Sequence, residues 1–269
     1  MKNPARKVST NGKAWIAALA VLLATGGATI STAGADEAQA RSLFKAMSDY
    51  LATQKALSLD FDSTLEVVTT QGQKVGLASS GTVKLNRPDK IRATRTGGFA
   101  DVELVFDGKV LSLFGKNANT YVQVDSPGTI DQLIDVLRER FHRPVPAADL
   151  LMSSPYNELM PLVVDAKDLG SGVIRGIECD HLAFRTSDLD WQIWIAQGDR
   201  PYPCRYVVTS SQIAGFPQYS VDVQSWKTGT DVAFDDFSLA VPAGARKVNL
   251  DELADFDDLP RIFAVKGAQ

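Results

Sequence analysis

The chain has 269 residues, 28 basic and 32 acidic side chains, and a formal net charge of −4 at pH 7. That balance excludes an electrostatic drive toward nucleic acid or an anionic membrane surface. Hydrophobic residues make up 45% of the chain, enough to bury a core of ordinary size.

The first 35 residues read as a secretory signal peptide. Lys2, Arg6, Lys7 and Lys13 form a basic n-region, the run from Ala14 to Ala24 is apolar, and Ala33-Gly34-Ala35 supplies the small residues a signal peptidase reads. Cleavage is expected between Ala35 and Asp36. The competing reading is an uncleaved anchor, since Ala14 to Ile30 approaches the roughly 20 residues a spanning helix needs; Thr25, Gly26, Gly27 and Thr29 weaken it. No Cys lies near the site, so there is no thiol for lipid attachment. Removing 35 of the 269 residues leaves 234, and it takes away four basic and no acidic side chains, which moves the formal charge from −4 to −8. The expectation is a protein exported from the cytoplasm, with no transmembrane segment after cleavage and a single domain over residues 36–269.

Asp36 reads as an N-cap, followed by Ala40, Leu43, Phe44, Met47, Tyr50 and Leu51 at three- and four-residue steps, which predicts an amphipathic helix ending near Lys55. The period then drops to two. Leu57, Leu59, Phe61, Leu65 and Val67 alternate with Ser58, Asp60, Asp62, Thr64 and Glu66, a long strand with one apolar face. Strands are expected at Lys74 to Leu85 and Lys90 to Thr96, and then at Asp101 to Phe106 and Lys109 to Phe114. Asp107-Gly108 suits a two-residue type I′ turn, pairing Leu104 with Leu111 and Val102 with Leu113. Tyr121 to Val124 follows. Thr129 and Gln132 form a capping box for a helix carrying Ile130, Leu133, Ile134, Leu137 and Phe141. It opens a central helical block near 129–164, with short pieces at Ala147 to Met152 and Tyr156 to Val164. Strands resume at Gly172 to Arg175, Ile177 to Thr186, Trp191 to Ala196, Cys204 to Ser211, Gln218 to Trp226 and Phe234 to Ala240. The fold class is α+β: a curled, mostly antiparallel sheet of about ten strands, an unclosed β-barrel with helices covering its concave face.

Catalytic signatures are missing. There is no G-x-S-x-G, H-E-x-x-H or Gly-rich phosphate loop, and no catalytic residue, cofactor or metal site is expected. His142 sits at a helix stop, where capping explains it. Cys179 and His181 share one strand face, but a disulfide cysteine beside a strand histidine accounts for them better than a nucleophile or half a metal site. The acidic run from Asp251 to Asp258 lacks the spacing of a calcium loop and reads as a solvated tail. Arg87, Arg92 and Arg95 could face an anionic headgroup or form the polar outer face of a strand. Trp191 and Trp194 lie on opposite faces of one strand, so one must face outward. Cys179 and Cys204 are the only thiols and are expected to be bridged in an oxidising compartment. The bridge requires the intervening strand to end or bulge at Ala196 to Gly198, because two strand spacings exceed bridging distance.

The order resembles the LolA/LolB-like superfamily of periplasmic lipoprotein carriers and binders. The resemblance is carried by the post-signal helix leading into Leu57-Ser58-Leu59-Asp60-Phe61, by Val83-Lys84-Leu85-Asn86-Arg87-Pro88-Asp89-Lys90-Ile91-Arg92, and by the hairpin Val105-Phe106-Asp107-Gly108-Lys109. The ending Phe234-Asp235-Asp236-Phe237-Ser238-Leu239-Ala240-Val241-Pro242-Ala243-Gly244-Ala245 also looks like that superfamily's final strand and Pro-Gly corner. Cys179-Asp180-His181-Leu182-Ala183-Phe184 with Trp191-Gln192-Ile193-Trp194-Ile195 is similar to a bacterial branch of predicted periplasmic proteins. The resemblance implies an apolar cavity between sheet and helices that accepts acyl chains.

The expected function is therefore a non-enzymatic binding protein that holds a lipid, or the acyl chain of an acylated protein, as carrier or sensor. Leu59, Phe61, Leu65, Val102, Leu104, Leu111 and Leu113 would line the site, with Asp60, Asp62 and Glu103 facing solvent. The alternative is an envelope interaction module with a filled core and a protein partner.

Overall fold

The structure is a computed structural model that describes residues 33–98, 101–140 and 147–249. Residues 1–32 of the expected signal peptide, Phe141, His142 and the acidic run at 251–258 lie outside the described residues, whereas Ala33, Gly34 and Ala35 open the first helix.

Helix α1 spans Ala33–Thr53. Ala40, Phe44, Met47 and Leu51, spaced by four, three and four residues, are all buried, as the helical period requires of a core-facing stripe. Its outer face carries the i,i+4 pairs Arg41 with Glu37 and Lys45 with Asp49. Asp36 lies within the first turn rather than at the cap, because the helix starts at Ala33; its charge still suits the positive end of the dipole. At the other end the Thr53 hydroxyl and the Gln54 amide both donate to the Tyr50 carbonyl, satisfying an acceptor that the helix leaves open.

Eleven strands follow before the final tail: β1 (Ala56–Val68), β2 (Lys74–Asn86), β3 (Lys90–Gly97), β4 (Asp101–Phe106), β5 (Val110–Gly115), β6 (Thr120–Asp125), β7 (Asp165–Ile174), β8 (Ile177–Arg185), β9 (Leu189–Ala196), β10 (Pro203–Ser210) and β11 (Gln218–Thr228). With β12 (Arg246–Lys247) they form one sheet ordered β12-β6-β5-β4-β3-β2-β1-β11-β10-β9-β8-β7. Every pairing is antiparallel except that of β12 with β6. The sheet is unclosed, with β12 and β7 as its edges. The α+β half-barrel expected from the sequence is present, with twelve strands rather than about ten.

Register arranges the concave face in cross-strand rows. Leu57, Leu85, Ile91, Phe106, Leu111 and Val124 form one row, and Leu59, Val83, Ala93, Leu104, Leu113 and Val122 form the next. Both are wholly apolar and belong to the main core. On the other half of the sheet, Phe44 of α1 packs against Phe184 and Trp191, with ring centroids 5.6 and 5.2 Å apart. The central block supplies the rest of the cover. Helix α2 (Ile130–Asp135) begins at the expected capping box, in which the Thr129 hydroxyl accepts from Gln132 N–H and the Gln132 side chain accepts from Thr129 N–H. It continues as a π-helical turn over Val136–Arg140. Helix α3 (Pro155–Leu159), capped by Ser154, is tied to α1 by the Tyr156 N–H donating to the Ser48 hydroxyl at 3.0 Å.

Two further expectations fail here. The β4–β5 hairpin pairs Leu104 with Leu113 and Val102 with Gly115, two residues out of the expected register. The Asp107 carboxylate accepts from the N–H groups of Lys109 and Val110, at 2.9 and 2.8 Å. This Asx-type turn gives a four-residue loop in place of a two-residue one. A shift of two preserves which face each residue takes. The segment Phe234 to Ala240 is not a strand. It crosses the outer face of the sheet, where Asp235 is bound by Arg92 and Phe237 is buried, and leads to β12 at the far edge.

Candidate functional site

The expected lining residues divide into two groups. Leu59, Leu111 and Leu113 are buried in the core beneath the helices. Phe61, Leu65, Val102 and Leu104 lie on the same concave face but are only half-buried. The face therefore has a filled end and a more open one, and the open end begins at the row Phe61, Gly81, Arg95, Val102, Gly115. Gly81 is required there. A Cβ on it would lie 2.5 Å from Phe61 Cζ and overlap the Thr94 carbonyl oxygen, so the Phe61 ring lies flat across the strand beside it.

The next row is small and polar, with Ser63 opposite Ser79 and Ser79 opposite Gly97. The Ser63 and Ser79 hydroxyls are 2.9 Å apart. Apolar character returns with Leu65 and Leu77, beside Tyr219 of β11. The Tyr219 phenol is pushed up by burial, against a hydrogen bond with Ser63 and the charge of Arg95, both of which act downward. It stays protonated at neutral pH. Alternation alone places Arg95 on the face of Ile91 and Ala93, a signal present in the sequence that the grouping of Arg87, Arg92 and Arg95 obscured.

Those three arginines do not form a cluster. Arg92 faces outward and binds Glu103 and Asp235. Arg87 is half-buried, donates to the Met152 carbonyl at 3.1 Å, and has its pKa lowered by burial against the opposing charge of Asp131. Asp60 and Asp62 face solvent as expected, whereas Glu103 is half-buried on the outer face by its contact with Arg92.

The Cys179 and His181 pair does not assemble. The His181 ring bonds Gln192 through Nε2 at 3.0 Å and stacks on Trp194 with centroids 4.0 Å apart. Trp194 is the outward tryptophan, covered locally by His181, by Arg205 above its ring and by the backbone at Gly172. Trp191 is the buried one. The expected disulfide is not formed: Cys179 and Cys204 are both free and buried. Strand β9 does end at Ala196, and a bulge between Pro203 and Arg205 brings Cys204 into a small outer cluster with Cys179, Ile174 and Ala196. The Cys179 thiol donates to the Ile177 carbonyl at 3.4 Å, and no covalent bond joins it to Cys204. Burial raises both, Cys204 to about 12, where the neighbouring Cys179 adds to the effect. Neither is an activated nucleophile. A cleft of about 100 Å³ adjoins Cys204, lined by Ile174, Arg175, Tyr202 and Val223, where the β7–β8 hairpin meets the bulge of β11.

Among the described residues, no group of His, Cys, Asp and Glu is arranged to hold a metal ion, and no helix is long and apolar enough to cross a membrane. A family model described as predicted periplasmic protein (DUF2092) matches residues 40–251. No curated protein matches the chain. Among solved structures, the chain is similar to the lipoprotein LppX of Mycobacterium tuberculosis, at 13% identity and a TM-score of 0.38 over 73% of this chain and 100% of that one. It is also similar to MucB in the MucA/MucB complex of Pseudomonas aeruginosa, at 13% identity and a TM-score of 0.43 over 75% of this chain and 61% of that one. A third is a LolA superfamily protein from Nitrosomonas europaea, at 10% identity and a TM-score of 0.37 over 74% and 97%.

Proposed function

Because the chain belongs to the family of predicted periplasmic proteins whose model spans most of it, we propose that it is a non-enzymatic periplasmic binding protein that holds a lipid or acyl chain on the open end of its half-barrel, as carrier or sensor. One observation carries this reading: Leu104 in the second row, and Phe61 and Val102 in the row beyond it, continue the apolar concave face and remain half-buried. An apolar surface left partly exposed on the inside of a curved sheet is the kind of surface a ligand covers. Each methylene buried there contributes roughly 0.8 kcal/mol, so a chain of a dozen carbons offsets several kcal/mol of association cost. Leu59, Leu111 and Leu113 belong to the filled core rows, and the ligand lies beyond them.

The test is titration with a fluorescent fatty acid. Wild-type protein binds saturably, Leu104→Gln binds more weakly, and Asp62→Asn on the opposite face binds as wild type. Equal binding by both variants, with unchanged thermal midpoints, contradicts the assignment.

A second reading is an envelope interaction module. Edge strand β7 and its hairpin expose Leu169, Val173 and Ile177, at 48%, 65% and 39%, on a sheet edge with unpaired backbone groups. Specific capture of one envelope protein, abolished by Val173→Lys, together with no fatty-acid binding, favours this reading.

A further inference from the structure

Among the described residues, the open rows of the concave face carry one charge. Arg95 stands in the row of Phe61 and Val102, opposite Gly81. Arg95 and Tyr219 come from β3 and β11, which are separated by β2 and β1, yet the Arg95 charge acts on the Tyr219 phenol. The row beyond Arg95 holds Ser63, Ser79 and Gly97, whose side chains are small, and the Ser63 and Ser79 hydroxyls are 2.9 Å apart and bonded to each other.

Arg95 differs from its neighbour on the same strand. Arg92 is held by Glu103 and Asp235 on the outer face, while among the described residues no carboxylate oxygen lies within 4.0 Å of the Arg95 guanidinium. A half-buried guanidinium presents five N–H donors in a fixed fork that matches a carboxylate or phosphate. In an apolar groove such a group is costly to leave without an acceptor.

We propose that Arg95 anchors the anionic head of the ligand, a carboxylate or phosphate monoester, whose chain lies along Phe61, Val102 and Leu104. This rests on the acyl-binding reading above and adds to it a head-group chemistry. The ligand is an acid, bound through charge-assisted hydrogen bonds at one end and apolar contact along the rest.

The experiment compares a twelve-carbon fluorescent fatty acid with its methyl ester on wild-type protein, Arg95→Gln and Arg95→Lys, with thermal midpoints to establish folding. Wild type binds the acid about ten- to a hundredfold more tightly than the ester, the range expected for hydrogen bonds to a charged group. Arg95→Gln abolishes the difference by weakening the acid alone, and Arg95→Lys restores most of it. If Arg95→Gln does not fold, Arg95→Lys still reports a smaller loss, confined to the acid. Acid and ester bound equally by wild type overturn the anchor and leave the acyl reading standing. If neither probe binds, the acyl reading fails, and inorganic phosphate decides the anchor separately. An NMR shift of the Arg95 Nε–H that saturates with added phosphate supports a free-anion site; no shift overturns it.

Discussion

Arg92 binds Asp235, 143 residues further along the chain, with Nε 2.9 Å from one carboxylate oxygen. Their side chains are 18% and 8% exposed, and Lys84 adds a second positive charge 3.8 Å away. Burial raises the Asp235 pKa, but the hydrogen bonds from Arg92 and Phe237 N–H, with the charges of Arg92 and Lys84, outweigh it and hold the carboxyl below its ordinary range. The folded-state value lies below the unfolded one. The stabilisation is therefore complete above about pH 4 and is lost as the pH falls through the folded value. Asp235→Asn is expected to destabilise the protein by about 1.5–3 kcal/mol at pH 7 and to flatten the loss of stability on acidification. Urea unfolding of both proteins at pH 7 and pH 3 checks this; parallel pH dependences would contradict it.

The Phe61 ring occupies the space a Gly81 side chain would need. Gly81→Ala meets both the ring and the Thr94 carbonyl oxygen and is expected to cost about 1–3 kcal/mol. Phe61→Leu removes one of those two contacts. In a double-mutant cycle it should recover part of the loss, with a coupling of at least about 0.5 kcal/mol. Strict additivity would show that the ring does not lie over Gly81.

The thiols give a chemical test of the outer cluster. With Cys204 raised to about 12 by burial and the neighbouring Cys179, only about one thiolate in ten thousand is present at pH 8. Iodoacetamide at that pH is expected to modify neither cysteine in the folded protein and both after denaturation. Mass spectrometry reads the outcome. Rapid labelling in the folded state would place a thiol at the surface, and no labelling after denaturation would mean that the pair is bonded.

Local period made most of this fold legible. The stripe Ala40, Phe44, Met47, Leu51 and the alternation from Leu57 to Val67 each report a single buried face, and the Thr129–Gln132 capping box is a purely local device. What the sequence hid depends on side chains acting on distant or competing backbone. Asp107 caps the N–H groups of Lys109 and Val110 and moves the hairpin register by two. Phe234 to Ala240 alternates like a strand, yet Arg92 and Lys84 capture Asp235 and hold the segment on the outer face. The candidate site was readable only as a face. Alternation put Phe61, Leu65, Val102 and Leu104 together, but it could not separate them from Leu59, Leu111 and Leu113, because the helices that bury those three come from elsewhere in the chain. Arg95 was readable by the same alternation and was masked by its neighbours Arg87 and Arg92.

The central claim, that the open concave face carries an acyl ligand, is tested most directly by native mass spectrometry of protein isolated from periplasm without detergent, followed by lipid extraction. The account predicts a discrete adduct with the mass of an acyl lipid on the wild-type protein. The adduct is strongly reduced in Leu104→Gln and retained in Asp62→Asn. An unliganded mass for the wild type, with no saturable uptake of added fatty acid, would contradict it.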